Sequence, residues 1–193
     1  MKRITAAALA ILPALALADV TTWNIDPLHT QSEFSVKHLV ISTVKGEFGK
    51  TAGVLKIDDK DITRSSVEAT IDTTSINTRI ADRDTHLKSP DFFDVAKYPT
   101  ITFKSTKVEK AGDGLLVTGD LTMKNVTKPV TLTVTGPSPE IKDPWGNARR
   151  GLSARGKLNR KDFGLMWSKA VEAGPVVGDD VNIEIDAEIV KAK

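Results

Sequence analysis

Few residues of this chain have the types and spacing that chemistry needs. The three histidines, His29, His38 and His86, do not stand at the spacing of a zinc-binding pair. Asp82, Asp84 and His86 recur at every second position, so on a helix the two ends of the set share a face and could form a weak metal site. We favour the alternative, a capped helix whose acidic groups pair with basic neighbours in the same segment.

Two motifs match catalytic or nucleotide-binding signatures only in part. Gly49-Lys50-Thr51 resembles the end of a phosphate-binding loop, but Val44 stands where that loop needs a glycine. Gly151-Leu152-Ser153-Ala154-Arg155 lacks the second glycine of a nucleophile elbow and lies in a strand pattern. The chain contains no cysteine to serve as nucleophile, metal ligand or redox group. We therefore expect no catalytic residue, no metal centre, no cofactor and no enzymatic activity.

Residues 1–18 have the features of a signal peptide. Lys2 and Arg3 precede an apolar run that ends in the small-x-small pattern Ala16-Leu17-Ala18. The run is shorter than the about 20 residues of a membrane-spanning helix. We expect cleavage after Ala18, a periplasmic location, no stable membrane insertion and one folded domain over residues 19–193.

The charge balance argues against a nucleic-acid partner. The full chain has 27 Lys and Arg against 25 Asp and Glu, and removal of Lys2 and Arg3 makes the two counts equal. The charges are spread along the polar faces of strands, whereas a nucleic-acid-binding protein normally concentrates a basic surplus on one face.

The elements that must position any site are predicted to be strands. Apolar and polar residues alternate in several segments, which places one face in a core and the other in water. These segments are 67–71, 101–103, 115–123, 130–134, 152–158 and 181–189. The glycine-containing turn at 111–114 predicts a hairpin. About eight strands with short antiparallel links are typical of a β-sandwich or β-barrel.

Residues 77–98 lack alternation and predict one or two short helices that close one end of the barrel. Ile80, Asp84 and Leu87 have helical spacing. Ser89-Pro90-Asp91 has the features of a helix start, with an N-cap, a proline at the first position and an acidic first turn.

Large apolar residues fall at inward-facing positions of the predicted strands. Phe34 and Val36 alternate with polar neighbours, and His38 follows in the same register. Val44 and Phe48 share a face of the next extended stretch. An eight-stranded barrel can be filled by its side chains or can enclose a small ligand, and periodicity alone does not decide between these alternatives.

Several blocks of the sequence resemble the YceI-like family. Among them are Ile25-Asp26-Pro27-Leu28-His29-Thr30 and Asp91-Phe92-Phe93-Asp94. The full set comprises residues 25–30, 34–39, 44–48, 83–94, 97–103, 119–122, 126–130, 160–165 and 177–181. These blocks follow one another in the family's order from about Trp23 to about Glu188.

The resemblance implies an all-β fold, a lipocalin-like extended eight-stranded antiparallel β-barrel with a short helical insertion. It implies a long interior tunnel that binds a polyisoprenoid lipid such as an isoprenoid quinone or a prenyl phosphate. It further implies a bacterial periplasmic or secreted protein without catalytic activity, and often a homodimer. The expected partner is therefore an isoprenoid lipid or quinone, bound as a ligand rather than as a cofactor.

Exposure of a prenyl tail to water costs about 25 cal/mol per Å² of apolar surface, so such a tail needs a continuous apolar sleeve. The residues predicted to line this sleeve are Phe34, Val36, Val44, Phe48, Ile101, Phe103, Leu121, Met123, Leu165 and Trp167. Phe92 and Phe93 are expected near one end. His38, Arg83 and His86 are candidates for contact with a polar head group.

Two other functions are compatible with the same residues. One is a secreted hydrolase on the same barrel, which would depend on His38 or His86. The other is a surface-binding module with a filled core, acting in stress response or adhesion.

Overall fold

The computed structural model describes residues 20–172 and 174–193, so the predicted signal peptide, residues 1–18, lies outside the described residues. The strands are β1 (Val20–His38), β2 (Ser42–Phe48), β3 (Thr51–Asp58), β4 (Ser66–Asp72), β5 (Ile76–Asn77), β6 (Thr100–Ala111), β7 (Gly114–Met123), β8 (Val126–Thr135), β9 (Ile141–Lys142), β10 (Ala148–Asn159), β11 (Ala170–Val171), β12 (Gly174–Pro175) and β13 (Val177–Lys191). Helix α1 spans Ala81–Lys88, and single 3-10 turns span Ile62–Arg64, Thr73–Ser75 and Arg160–Phe163.

The long strands form a closed antiparallel barrel, which confirms the predicted fold. The ring runs β1, β3, β4, β6, β7, β8, β10 and β13, and β13 pairs with β1 to close it. Strand β1 pairs along one edge first with β3 and then with β2, so β2 and β3 together occupy one strand position of the barrel. The pairing of β13 with β1 removes the two outer edges that an open sheet would expose.

Alternating sequence produces this ring because each strand presents one apolar face to the interior. In β7, Leu115, Val117, Leu121 and Met123 are buried, whereas Asp120 between them is exposed. The same pattern of buried and exposed residues recurs along β8. The predicted hairpin is also confirmed, since residue 111 pairs with residue 114 across the turn between β6 and β7.

The ring is not equally well paired around its circumference. Strand β10 pairs with β13 continuously from Arg149 to Asn159. Its other edge pairs with β8 only through Ser153, Ala154 and Arg155. We call this short contact the β8–β10 seam.

The barrel has two different ends. The helix end carries the turns 39–41 and 124–125 and the segments 73–99, 160–172 and 174–176. The opposite end carries the turns 59–65, 112–113 and 136–147. A second small core at the opposite end is formed by Trp23, Ile57 and Ile189, which are almost completely buried.

The insertion at the helix end contains one helix, and the predicted helix start at Ser89 is wrong. Ser89 instead ends α1, because its N–H donates to the carbonyl of His86 at 3.1 Å. The residues that follow form tight turns in which Phe92 and Asp94 both donate to the carbonyl of Ser89. Asp94 has a left-handed backbone (φ 49°), which no helix can include.

Within the described ranges, no helix combines the length and the apolar character that crossing a membrane requires.

Candidate functional site

An elongated apolar cavity of about 270 Å³ runs through the interior of the barrel. Every strand of the ring contributes to its wall. It extends from Val36 and Val177 near the helix end to Ile57 and Pro137 near the opposite end. Its length therefore approaches that of the barrel.

The wall of this cavity is mostly apolar, and two of its buried hydroxyl groups pair with each other. Ser32 and Thr51 are buried and share a hydrogen bond of 2.8 Å between their hydroxyls. Several inward-facing side chains, such as Phe34, Ile71 and Phe103, are only half-buried because part of their surface borders the cavity. The interior is thus hollow rather than filled.

Most of the apolar residues chosen from the sequence lie on the cavity wall. These are Phe34, Val36, Phe48, Phe92, Phe93, Ile101, Phe103, Leu121, Met123 and Leu165. They come from four strands (β1, β2, β6 and β7), the insertion and the segment after the Arg160–Phe163 turn. Their placement together follows from the period-two alternation of a closed sheet.

Val44 and His38 do not reach the wall, which corrects their predicted position. In the pairing of β1 with β13 the register shifts between Val36 and His38, so His38 leaves the inward-facing series. Val44 pairs with Val36 at the helix end. There β2 has a second strand partner only at Glu47 and Phe48, so Val44 lies outside the part of the wall that strands close.

Arg83, His86 and Trp167 also lie off the wall, because each is engaged in a contact outside it. Arg83 donates to the hydroxyl of Thr78 at 2.7 Å and to its carbonyl at 2.8 Å. The His86 ring lies edge-on to Trp167, with the ring centroids 5.1 Å apart, and Trp167 packs on Phe92 at 5.3 Å. His86 and Trp167 thus form a second layer behind the wall residue Phe92.

The three residues considered as a weak metal site, for which a capped helix was the favoured alternative, do not gather their side chains. Asp84 accepts from the backbone N–H and the hydroxyl of Thr78 at 2.8 and 2.6 Å. His86 instead lies 2.9 Å from a carboxylate oxygen of Asp91. These partners differ from the basic neighbours expected from the sequence.

Aromatic rings shape the cavity at the helix end. Phe48 lies between Phe34 and Phe93, with ring centroids 5.6 Å away on each side. The ring of Phe34 covers Gly46 on the neighbouring strand, where an added Cβ would come within 2.4 Å of the ring. Gly46 therefore provides the space in which Phe34 lies.

Arg160 anchors the segment that covers the helix end, a role that the sequence did not suggest. Its side chain is only 4% exposed. The guanidinium donates to the carbonyls of Leu165, Trp167 and Gly178 at 2.5, 2.8 and 2.9 Å and pairs with Asp179 at 3.1 Å. A longer contact of 3.4 Å reaches the carbonyl of residue 177, so all five N–H donors have partners. Burial lowers the pKa of Arg160, and its ion pair opposes this effect.

The sequence also missed the part of the wall formed by β3, β4 and β13. It includes Leu55, Val67, Ile71, Ile183 and Ile185. The alternation that predicted strands at 67–71 and 181–189 already contained Val67, Ile71, Ile183 and Ile185, but the predicted lining favoured aromatic residues over these aliphatic ones.

A polar network on the outside of the barrel ties three strands together. Arg149 on β10 donates to Asp26 at 2.6 Å, to Asp143 at 2.8 Å and to Glu188 on β13 at 3.0 Å. His29 completes it at 2.9 Å from Asp26. Hydrogen bonds from Arg149 and His29 lower the pKa of Asp26 to about 2. The bond from Arg149 likewise holds the pKa of Asp143 well below its usual range.

This network contains the residue types that bind metal ions, but the guanidinium of Arg149 already lies among them. Ligand atoms of Asp26, His29 and Glu188 lie within 4.8 Å of one another. Arg149 donates to two of these three residues, so its guanidinium supplies the positive charge that a metal ion would bring. The arrangement is that of a structural ion-pair network.

Comparisons with known proteins agree with this fold. The family model described as a YceI-like domain matches residues 23–189. Protein YceI of Escherichia coli is 42% identical over 171 residues, covering 86% of this chain and 83% of that protein. The crystal structure of the Campylobacter jejuni YCEI protein is 33% identical with a TM-score of 0.69, covering 81% of this chain and 90% of that one.

A more distant structure shares the fold alone. It is described as a polyisoprenoid binding domain from Saccharophagus degradans implicated in plant cell wall breakdown. It is 16% identical with a TM-score of 0.65 and covers 89% of this chain and 99% of its own. The domain model and the relatives, which span most of the folded barrel, show that this chain belongs to the YceI-like family.

Proposed function

We propose that this protein binds an isoprenoid lipid inside its barrel and carries it through the periplasm without chemical change. The observation that carries the proposal is the apolar cavity that extends from the helix end to the opposite end. The description of the Saccharophagus degradans domain as polyisoprenoid binding supports the same class of ligand. The signal-peptide features of residues 1–18 support the periplasmic location.

The cavity favours this function over a surface-binding module with a filled core. At about 30 Å³ for a water-sized group, 270 Å³ accommodates about nine such groups. Taking each tail carbon as one water-sized group, this space holds about two isoprene units. Longer tails require wall side chains to move apart.

The energy of transfer is sufficient to hold such a ligand. Burial of each CH₂ is worth about 0.8 kcal/mol, so one isoprene unit of about five carbons gains about 4 kcal/mol when it leaves water. The wall offers few polar groups that could form hydrogen bonds with substrate atoms. It therefore suits a ligand recognised by its tail rather than a bond to be broken.

The test is to purify the protein from the periplasm of an expressing bacterium and to analyse it by native mass spectrometry and lipid extraction. We expect a mass increment that extraction identifies as an isoprenoid lipid. A protein that is empty in repeated preparations and takes up no added prenyl lipid would contradict the proposal. Turnover of ester or peptide substrates, lost on replacement of His86 or His38, would instead support a hydrolase.

A further inference from the structure

Three consecutive apolar residues, Leu39, Val40 and Ile41, connect β1 to β2 at the helix end of the barrel. Val40 and Ile41 are 57% and 83% exposed. The N–H of Ile41 donates to the carbonyl of His38 at 3.2 Å, which closes a turn with Leu39 and Val40 at its centre. Both central residues have left-handed backbones, with φ of 52° and 65°. This turn therefore presents apolar side chains to water.

Neither the backbone nor the solvent favours these residues in this turn. Hairpin turns in which both central residues have positive φ normally contain asparagine and glycine. A β-branched residue such as Val40 is rare at positive φ because its side chain crowds the backbone. Exposure of Ile41 to water is unfavourable as well. Because other residues would suit the fold better, the apolar turn points to a contact outside this chain.

The β11–β12 hairpin enlarges this exposed apolar surface. An added Cβ at Gly174 would come within 3.2 Å of the Cγ2 methyl group of Val40, so the turn lies against the hairpin. Gly174 pairs across the hairpin with Val171, which is 47% exposed. Val40, Ile41 and Val171 thus belong to one surface, which we call the apolar tip.

The apolar tip adjoins the end of the interior cavity. The N–H of Leu39 donates to the carbonyl of Val176 at 2.9 Å, and the next residue, Val177, lines the cavity. Val36, three residues before Leu39, lines the cavity as well. The exposed tip and this end of the cavity wall are therefore built from the same short segments of the chain.

Lysines flank the turn and the hairpin in sequence. Residues 37–45 contain Lys37 and Lys45 and no acidic residue, and the hairpin segment contains Lys169 and Glu172. All three lysines are exposed, and none of them has an ion-pair partner among residues 20–172 and 174–193. Exposed apolar side chains beside unpaired lysines are complementary to a lipid surface that carries negative charge.

The exposed apolar residues of the opposite end have different neighbours. Ile141 and Trp145 lie in the segment 136–147, which carries two acidic residues, Glu140 and Asp143, against one lysine. Anionic head groups would be repelled by this balance of charge, whereas they would be attracted by the lysines beside the apolar tip.

We propose that the apolar tip docks this protein reversibly on the anionic surface of a membrane. The choice of a membrane rather than a protein as the partner rests on the proposed function, because an isoprenoid lipid dissolves in membranes and must leave one to enter the barrel. Val40, Ile41 and Val171 enter the head-group region, while the lysines contact lipid phosphates. The contact is peripheral and spans nothing.

The test is co-sedimentation with vesicles of phosphatidylcholine that contain about one third phosphatidylglycerol. We expect the purified protein to partition onto them at least about tenfold more strongly than onto pure phosphatidylcholine and to be released by salt. In the double variant Val40→Gly, Ile41→Ser, partitioning should fall at least about tenfold, because apolar side chains are lost without a change of charge. Its Tm should stay unchanged or rise, because glycine suits this position of the turn.

Trp145→Ser is the matched control, because it removes a larger apolar side chain, 80% exposed, from the opposite end. Its partitioning should stay within about twofold of that of the unaltered protein. Lys169→Gln tests the contribution of charge without altering the turn. It should weaken binding to the anionic vesicles at least about threefold, whereas Lys142→Gln at the opposite end should not.

Four results would overturn the docking surface. The unaltered protein does not partition onto anionic vesicles, or the double variant loses no more binding than Trp145→Ser. A markedly lower Tm of the double variant would show that the turn residues serve the fold. Dimers in analytical ultracentrifugation that dissociate in the double variant, without vesicle binding, would make the tip an interface between copies of this chain.

The lipid content of the same preparations, measured by native mass spectrometry, separates this inference from the proposed function. A protein that contains an isoprenoid lipid but does not bind vesicles retains the lipid function and loses the docking surface. A protein that binds vesicles through the tip but neither contains nor takes up a prenyl lipid retains the docking surface and loses the lipid function.

Discussion

Replacing Ala69 by phenylalanine should fill the lipid cavity from its wall without disturbing the barrel. Ala69 lies on β4, lines the cavity and pairs with Phe103 on β6. A phenyl ring at this position extends into the cavity and occupies space that a lipid tail would need. Because the added group is apolar and meets an apolar wall, the fold should tolerate it.

The expected loss of binding affinity follows from the size of the cavity. A volume of 270 Å³ leaves room for only about two isoprene units, so one phenyl ring displaces about one of them. Losing about five buried carbons at about 0.8 kcal/mol each weakens binding by about 4 kcal/mol. Since 1.4 kcal/mol is tenfold in affinity, the dissociation constant should rise about a thousandfold.

The assay is titration of lipid-stripped protein with geranylgeraniol, together with thermal unfolding to verify the fold. Thr70→Phe is the matched control, because Thr70 is the next residue on β4 and is exposed on the outer face. Equal affinity of Ala69→Phe and Thr70→Phe, with both variants folded, would refute the assignment of the interior as the binding site.

Three further predictions concern the wall, the helix end and the outer network. Phe103→Arg should abolish lipid uptake in native mass spectrometry, whereas Thr102→Arg, one position away on the exposed face, should not. Arg160→Lys retains the charge but loses most of the donors to buried carbonyls. The free energy of unfolding should therefore fall by about 3 kcal/mol and the Tm by about 6–12 °C. An unchanged Tm would contradict the anchoring role. Because the pKa of Asp26 is lowered from 3.8 to about 2, its stabilising effect is fully present above about pH 4 and is lost as the pH falls through about 2. The free energy of unfolding, measured across this pH range, should show this loss. The loss should be smaller in Arg149→Gln.

The barrel could be predicted from the sequence because its signal is local and repeated. Strands β7, β8 and β13 each show several apolar residues at period two. The helix start at Ser89 was wrong because serine, proline and aspartate favour tight turns as well as helix starts. Whether a turn or a helix start forms depends on the left-handed backbone of Asp94 and on the hydrogen bonds that Phe92 and Asp94 donate to Ser89.

The site was predictable in part for the same reason. Alternation placed Phe34 and Phe103 on the inner wall, but it did not reveal whether that wall was hollow. The outward displacement of His38 depends on an irregular register with a strand about 140 residues later, which no local pattern encodes. The anchoring role of Arg160 depends on carbonyl groups of a loop whose path the sequence does not specify.

The β8–β10 seam has a consequence for how the barrel adapts to cargo. A closed barrel opens most easily where its neighbouring strands are least paired. Here β10 pairs with β8 only at Ser153, Ala154 and Arg155. Loss of these few pairs releases the circumference, while the continuous ladder between β10 and β13 remains intact. We therefore expect the barrel to widen first at the β8–β10 seam when it accommodates a larger ligand.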